Sequence, residues 1–99
     1  MKLMTFTKQP NERKDYDIDY APWLTPVDDT IDDVQVSIEC LTDPEDISLV
    51  NESYEYTTNL LKLWMSGGTA DYRYKVTVTL TTVVGRVDES ELIFKIKDY

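Results

Sequence analysis

A chain of 99 residues with 19 acidic and 10 basic side chains has a net charge of −9, and 41% of it is hydrophobic. That length holds one packed core, and the apolar share excludes a disordered chain. The charge excludes binding to a nucleic-acid backbone or an anionic membrane through a basic patch, and a sequence without histidine lacks the commonest general base and transition-metal ligand.

Residues 1–14, MKLMTFTKQPNERK, are polar and basic and are expected to form an N-terminal arm. MKLMTF runs straight into TKQP without the apolar stretch of a secretory signal, so synthesis in a cytoplasm is expected. No apolar run is long enough to cross a membrane as a helix. DYDIDY (15–20) alternates acids with Tyr16, Ile18 and Tyr20, which predicts a strand with one apolar face. The two prolines of APWLTPVDDT predict a loop or edge crossing, with Trp23 and Leu24 closing one end of the core.

IDDVQVSIEC (31–40) resumes the alternation, with Val34, Val36, Ile38 and the single cysteine, Cys40, facing inward and LTDPED turning the chain. ISLV and NESYEYTT read as two further short strands. NLLKLWMS satisfies both a strand with Leu61, Leu63 and Met65 inward and a helix over 58–65; the β-rich surroundings and the Gly67–Gly68 turn favour the strand. From Tyr72 to Thr82 the even positions form one face and Arg73, Lys75, Thr77, Thr79 and Thr81 the other. A turn at Gly85 then leads into SELIFKIK, with Leu92, Phe94 and Ile96 inward.

Six or seven short strands separated by turns describe an all-β fold, an immunoglobulin-like antiparallel β-sandwich over residues 15–99, with a small barrel as the alternative. Its apolar positions are rich in Tyr, Trp and Val, residues that suit a pleated, half-buried surface.

Chemistry is hard to place on this pattern. Cys40 has only carboxylates near it in sequence, and Gly67–Gly68 lacks the following Lys-Ser/Thr of a phosphate loop. Asp15, Asp17 and Asp19 have a D-x-D-x-D spacing, with Asp28, Asp29, Asp32 and Asp33 close behind. An EF-hand would need Gly where Tyr20 stands and Glu where Pro26 stands, and a strand splays its carboxylates instead of wrapping them round Ca²⁺. Glu89 and Glu91 resemble an acid–base pair only in spacing. Trp23 and Trp64 suit a core better than a sugar-stacking platform. No catalytic residue, metal or cofactor is expected.

Two longer patterns carry a resemblance. The first is KQPNERKDYDIDYAPWL with DDTI, containing Lys8, Pro10, Asp15, Tyr16, Ile18, Asp19, Tyr20, Trp23, Leu24, Asp29, Thr30 and Ile31. The second is LWMSGGTADYRYKVTVTLTTVVGRVDESEL, containing Trp64, Ser66, Gly67, Gly68, Thr69, Ala70, Tyr74, Val76, Thr77, Thr81, Thr82, Gly85, Arg86 and Asp88. Together they resemble the small tailed-phage proteins known as fibre-tail adaptors or Ig-like virion proteins.

The resemblance implies a non-enzymatic virion protein, present in several copies in a symmetric assembly and joining other structural proteins of tail, neck, portal or fibre. Thr77, Thr79 and Thr81 on the outer face of the hairpin, with Asp19 and Arg86, are the candidate interface residues. The rival readings are an Ig-like adhesion or carbohydrate-binding decoration and an acidic inhibitor of a host nucleic-acid enzyme.

Overall fold

The computed structural model describes residues 3–98. Its strands are β1 (Leu3–Lys8), β2 (Lys14–Asp19), β3 (Ile31–Cys40), β4 (Val50–Tyr56), β5 (Leu60–Ser66), β6 (Arg73–Thr82) and β7 (Val87–Ile96). A short helix, α1 (Ala21–Leu24), and a 3-10 turn (Thr25–Val27) separate β2 from β3. The strands form two facing sheets, one ordered β1-β7-β6-β3 and the other β2-β5-β4. Every pairing is antiparallel except β1 with β7, which runs parallel from Leu3 beside Glu91 to Lys8 beside Ile96.

Alternation in sequence becomes burial in space. Tyr16, Ile18 and Tyr20 meet Leu61, Leu63 and Met65 on one side of the core, and Tyr74, Val76, Val78, Leu80, Leu92, Phe94 and Ile96 line the other. All-β architecture, the strand at 60–66 and the two-sheet sandwich follow the expectation. Val36 and Ile38 are only partly covered, because β3 is an edge strand and its neighbour across the gap, β4, leaves both its faces largely open. Tyr54 and Tyr56 stack on that open side with ring centroids 6.5 Å apart, and the Tyr56 hydroxyl donates to the Asp32 carbonyl at 2.9 Å.

Three local expectations are corrected. Residues 3–8, expected within a free N-terminal arm, form edge strand β1. Phe6 packs against Tyr16 and Phe94 with centroids 4.9 Å and 5.3 Å away. At the end of β1 the Lys8 side chain is buried, its Nζ donating to the carbonyls of Gln9 and Gly67, each at 2.7 Å, and of Pro10 at 3.5 Å. A polar sequence there hid an alternation whose apolar face covers the flank of β7.

The proline-containing crossing is helical, since Pro22 sits in the first turn of α1, where a missing N–H leaves no bond unmade. Leu24 is buried and Trp23 packs on the core, as an end plug should. Residues 47–49 belong to no strand, and pairing with β5 begins at Val50. Leu49 is nevertheless buried, so this segment anchors the crossing between sheets without extending either one.

Candidate interaction surface

Thr77, Thr79 and Thr81 all lie on β6, pointing away from the core and half-buried. Strand register fixes their neighbours: Ser37 and Glu91 beside Thr77, Gln35 and Glu89 beside Thr79, and Asp33 and Val87 beside Thr81. Farther along the same face, Lys75 lies beside Glu39 and Ile93, and Arg73 beside Lys95. The face is therefore a flat hydroxyl column flanked by acids at the Gly85 end and bases at the other. Such a surface hydrogen-bonds along its length and offers no activated nucleophile.

Arg86 is locally committed. Its Nε donates to Asp29 Oδ2 at 3.0 Å, its Nη2 donates to the Trp23 carbonyl at 3.3 Å, and its guanidinium lies 4.2 Å from the centre of the Trp23 ring. The Asp29 side chain is fully buried, with Oδ1 accepting from the amides of Thr30 (2.9 Å) and Val84 (3.2 Å). Burial alone would raise the Asp29 pKa. Hydrogen bonds from Thr82 and Arg86, and from those amides, outweigh burial and hold it below the ordinary value. Asp19 also has local work: its exposed side chain accepts the Ala21 amide at 2.9 Å, at the entrance to α1.

A second carboxylate, unmarked by either longer pattern in the sequence, gathers the opposite end. Asp46 Oδ1 accepts from the Ser48 amide (2.8 Å), the Ser48 hydroxyl (2.6 Å) and the Tyr74 hydroxyl (2.9 Å). Asp46 Oδ2 accepts from the Thr69 hydroxyl at 2.5 Å. Chiefly because of the Ser48 and Thr69 hydroxyls, the Asp46 pKa is strongly depressed. Asp-x-Ser is a local signal for such a turn, but Thr69 and Tyr74 come from beyond β5 and no local pattern brings them in.

A pH dependence follows with a definite sign. Groups whose folded pKa is depressed add stability that is fully present above the unfolded value of about 4 and lost as pH falls through the folded values. Urea midpoints are expected to hold between about pH 7 and 5 and to drop below about pH 4. Asp46→Asn should lower the neutral midpoint and flatten that acid limb.

The remaining sequence candidates separate. Asp15, Asp17 and Asp19 point outward along β2, with Asp15 3.5 Å from the Lys62 ammonium. Among the described residues no group of three or more Asp, Glu, Cys or His side chains is arranged to hold a metal ion. Cys40 is buried, with the Asp43 amide 3.3 Å from its sulfur. One face of each tryptophan is covered by a guanidinium: Arg86 over Trp23, and Arg13 at 4.5 Å over Trp64. Trp23 packs on the core as expected, whereas Trp64, expected in the core, lies on the outward face of β5 between buried Leu63 and Met65.

Residues of the two sequence patterns meet at two places. At one end of the sandwich Lys8 binds the Gly67 carbonyl, and at the other Trp23 and Asp29 hold Arg86. The patterns thus encode clamps that fix the fold. A family model described as podophage GP4 fiber-tail adaptor protein gp77 matches residues 8–95.

The chain belongs to this family. Its match begins at Lys8, the last residue of β1, and runs nearly to the end of β7, so it takes in both clamps and the threonine column. Membership supports a structural role in the tail of a phage and speaks for a non-enzymatic chain. A search of curated proteins finds no match.

Proposed function

We propose that this chain is a virion component of a tailed phage, an adaptor that joins tail or neck proteins to one another or to a fibre. The observation that carries the reading is the family match over residues 8–95. The fold supports it physically: two clamps stiffen the sandwich at its ends, and Thr77, Thr79 and Thr81 offer a flat polar face to a neighbouring protein. Asp19 is exposed on β2 of the other sheet and the Arg86 side chain keeps about a third of its surface, so each can add a contact of its own away from the threonine column. The chain is made in the host cytoplasm and taken up in several copies by a symmetric assembly. Its partners are other phage structural proteins, not nucleic acid or membrane, since a charge of −9 opposes both.

Phage propagated without this chain are expected to yield particles whose fibres or tail parts are missing. Wild-type particles should contain the chain at a fixed ratio to a tail protein, measured by quantitative mass spectrometry. Complete, infectious particles formed without it would overturn the adaptor reading.

A further inference from the structure

The turn between β6 and β7 is unusually apolar for an exposed tip. Val83 and Val84 are 64% and 70% exposed, and Val87 and Val27 beside them 64% and 58%. Freely mobile valines would be a weak recognition element, but these are held. The Val83 amide donates to the Thr30 carbonyl at 3.0 Å, the Val84 amide to the buried Asp29, and Arg86 ties the far side of the turn to Asp29 and Trp23. The 3-10 turn carrying Val27 ends at Asp28, one residue before that aspartate. Val83 and Val84 thus sit on a preorganised tip, a knob with Val27 at the end of the 3-10 turn and Val87 at the start of β7 on its flanks, so little ordering entropy is left to lose on binding.

Charge around the knob is one-sided. Asp28, Asp32, Asp33 and Glu89 are exposed within a few residues of it, while Arg86 is already matched by Asp29. Arg73, Lys95 and Lys97 lie at the other end of the four-stranded sheet, beyond ten residues of β6. A second copy would bring another net charge of −9 toward this acidic end, which disfavours self-association.

We propose that the Val27–Val83–Val84–Val87 knob is a docking end of the molecule, seating in an apolar pocket rimmed by Lys or Arg on a different protein of the particle. Apolar contact supplies affinity, and the carboxylate ring steers the encounter and sets orientation. The inference rests on the adaptor reading and assigns it a contact point at the Gly85 end of the sandwich, which borders the threonine face where Val87 lies beside Thr81.

The test uses phage particles assembled without this chain and mixes them with purified wild-type protein, Val83→Glu/Val84→Glu, or Thr77→Glu/Thr79→Glu. Co-sedimentation is measured at about 50 and 500 mM NaCl. Wild type is expected to bind, more weakly at high salt. The valine variant should melt within a few degrees of wild type yet lose at least about tenfold in binding, since exposed valines support docking far more than folding. Equal binding by the valine variant would overturn the knob while leaving the adaptor reading intact. Failure of wild type to bind would instead overturn the adaptor reading, and the knob assignment with it. Concentration-dependent dimers of wild type that the valine variant abolishes would overturn the assignment of a different partner.

Discussion

Phe94→Ala is expected to destabilise the protein by about 3–5 kcal/mol, because a large buried ring is lost and the surrounding sheets relax only partly. Phe94 is fully buried on β7. Its ring meets Tyr16 of β2 edge-on at 4.9 Å and Phe6 of β1 at 5.3 Å. Phe6 and Tyr16 also touch, at 4.9 Å. The three rings therefore join edge strand β1 to β7 within the four-stranded sheet, and that sheet to its partner. Removing the central ring loosens two joints together. For a domain of this size, the melting temperature should fall by on the order of 20 °C. Ile93→Ala, one residue earlier on the outer face, should lose less than about 1 kcal/mol in the same urea titration. Similar losses for the two variants would mean that the triad is not packed as described.

Legibility in the sequence followed the range of the interaction. Tyr16, Ile18, Leu61, Leu63 and the even positions of β6 announce themselves because period-two burial is written within each strand. The Thr77–Thr81 column follows from the same period. β1 was hidden for two reasons. Its inward positions are only Met4 and Phe6 before the alternation reaches Lys8, and its pairing depends on the free flank of β7, more than eighty residues away. Lys8 reads as a surface charge until the carbonyls of Gln9, Pro10 and Gly67 converge on its ammonium.

Distance in sequence also concealed the charged groups that matter most. Asp29 and Arg86 are 57 residues apart, and the DD pair at 28–29 gives no sign that one carboxylate is buried while its neighbour is exposed. Asp19 and Arg86 are the candidate interface charges, Arg86 at the turn tip and Asp19 at the end of the DYDIDY strand. The structure shows that both also work locally, so an Ala substitution at Arg86 would confound binding with folding. The exposed valines are cleaner probes of docking, since their side chains add little to the core.

Gly67→Ala is expected to have a comparable effect, about 3–4 kcal/mol, by a different route. Gly67 has φ +78°, a conformation that favours glycine, and a Cβ added there would lie 2.1 Å from the Ser48 carbonyl oxygen. That oxygen is backbone and accepts the Gly68 amide at 3.2 Å, so it cannot swing aside as a side chain would. The Gly67 carbonyl meanwhile accepts from Lys8. Any shift that relieves the clash must therefore disturb the crossing that carries Leu49, the end of β1, or both. Gly85→Ala provides the comparison: φ there is +100°, but an added Cβ meets nothing within 4 Å. Its penalty is confined to backbone strain, about 1–2 kcal/mol. Urea denaturation should rank Gly67→Ala well below Gly85→Ala in stability, and hydrogen exchange should show faster opening at Met4–Lys8 for the first variant alone. Equal losses without added exchange in β1 would mean that Gly67, Ser48 and Lys8 do not form one mechanical junction.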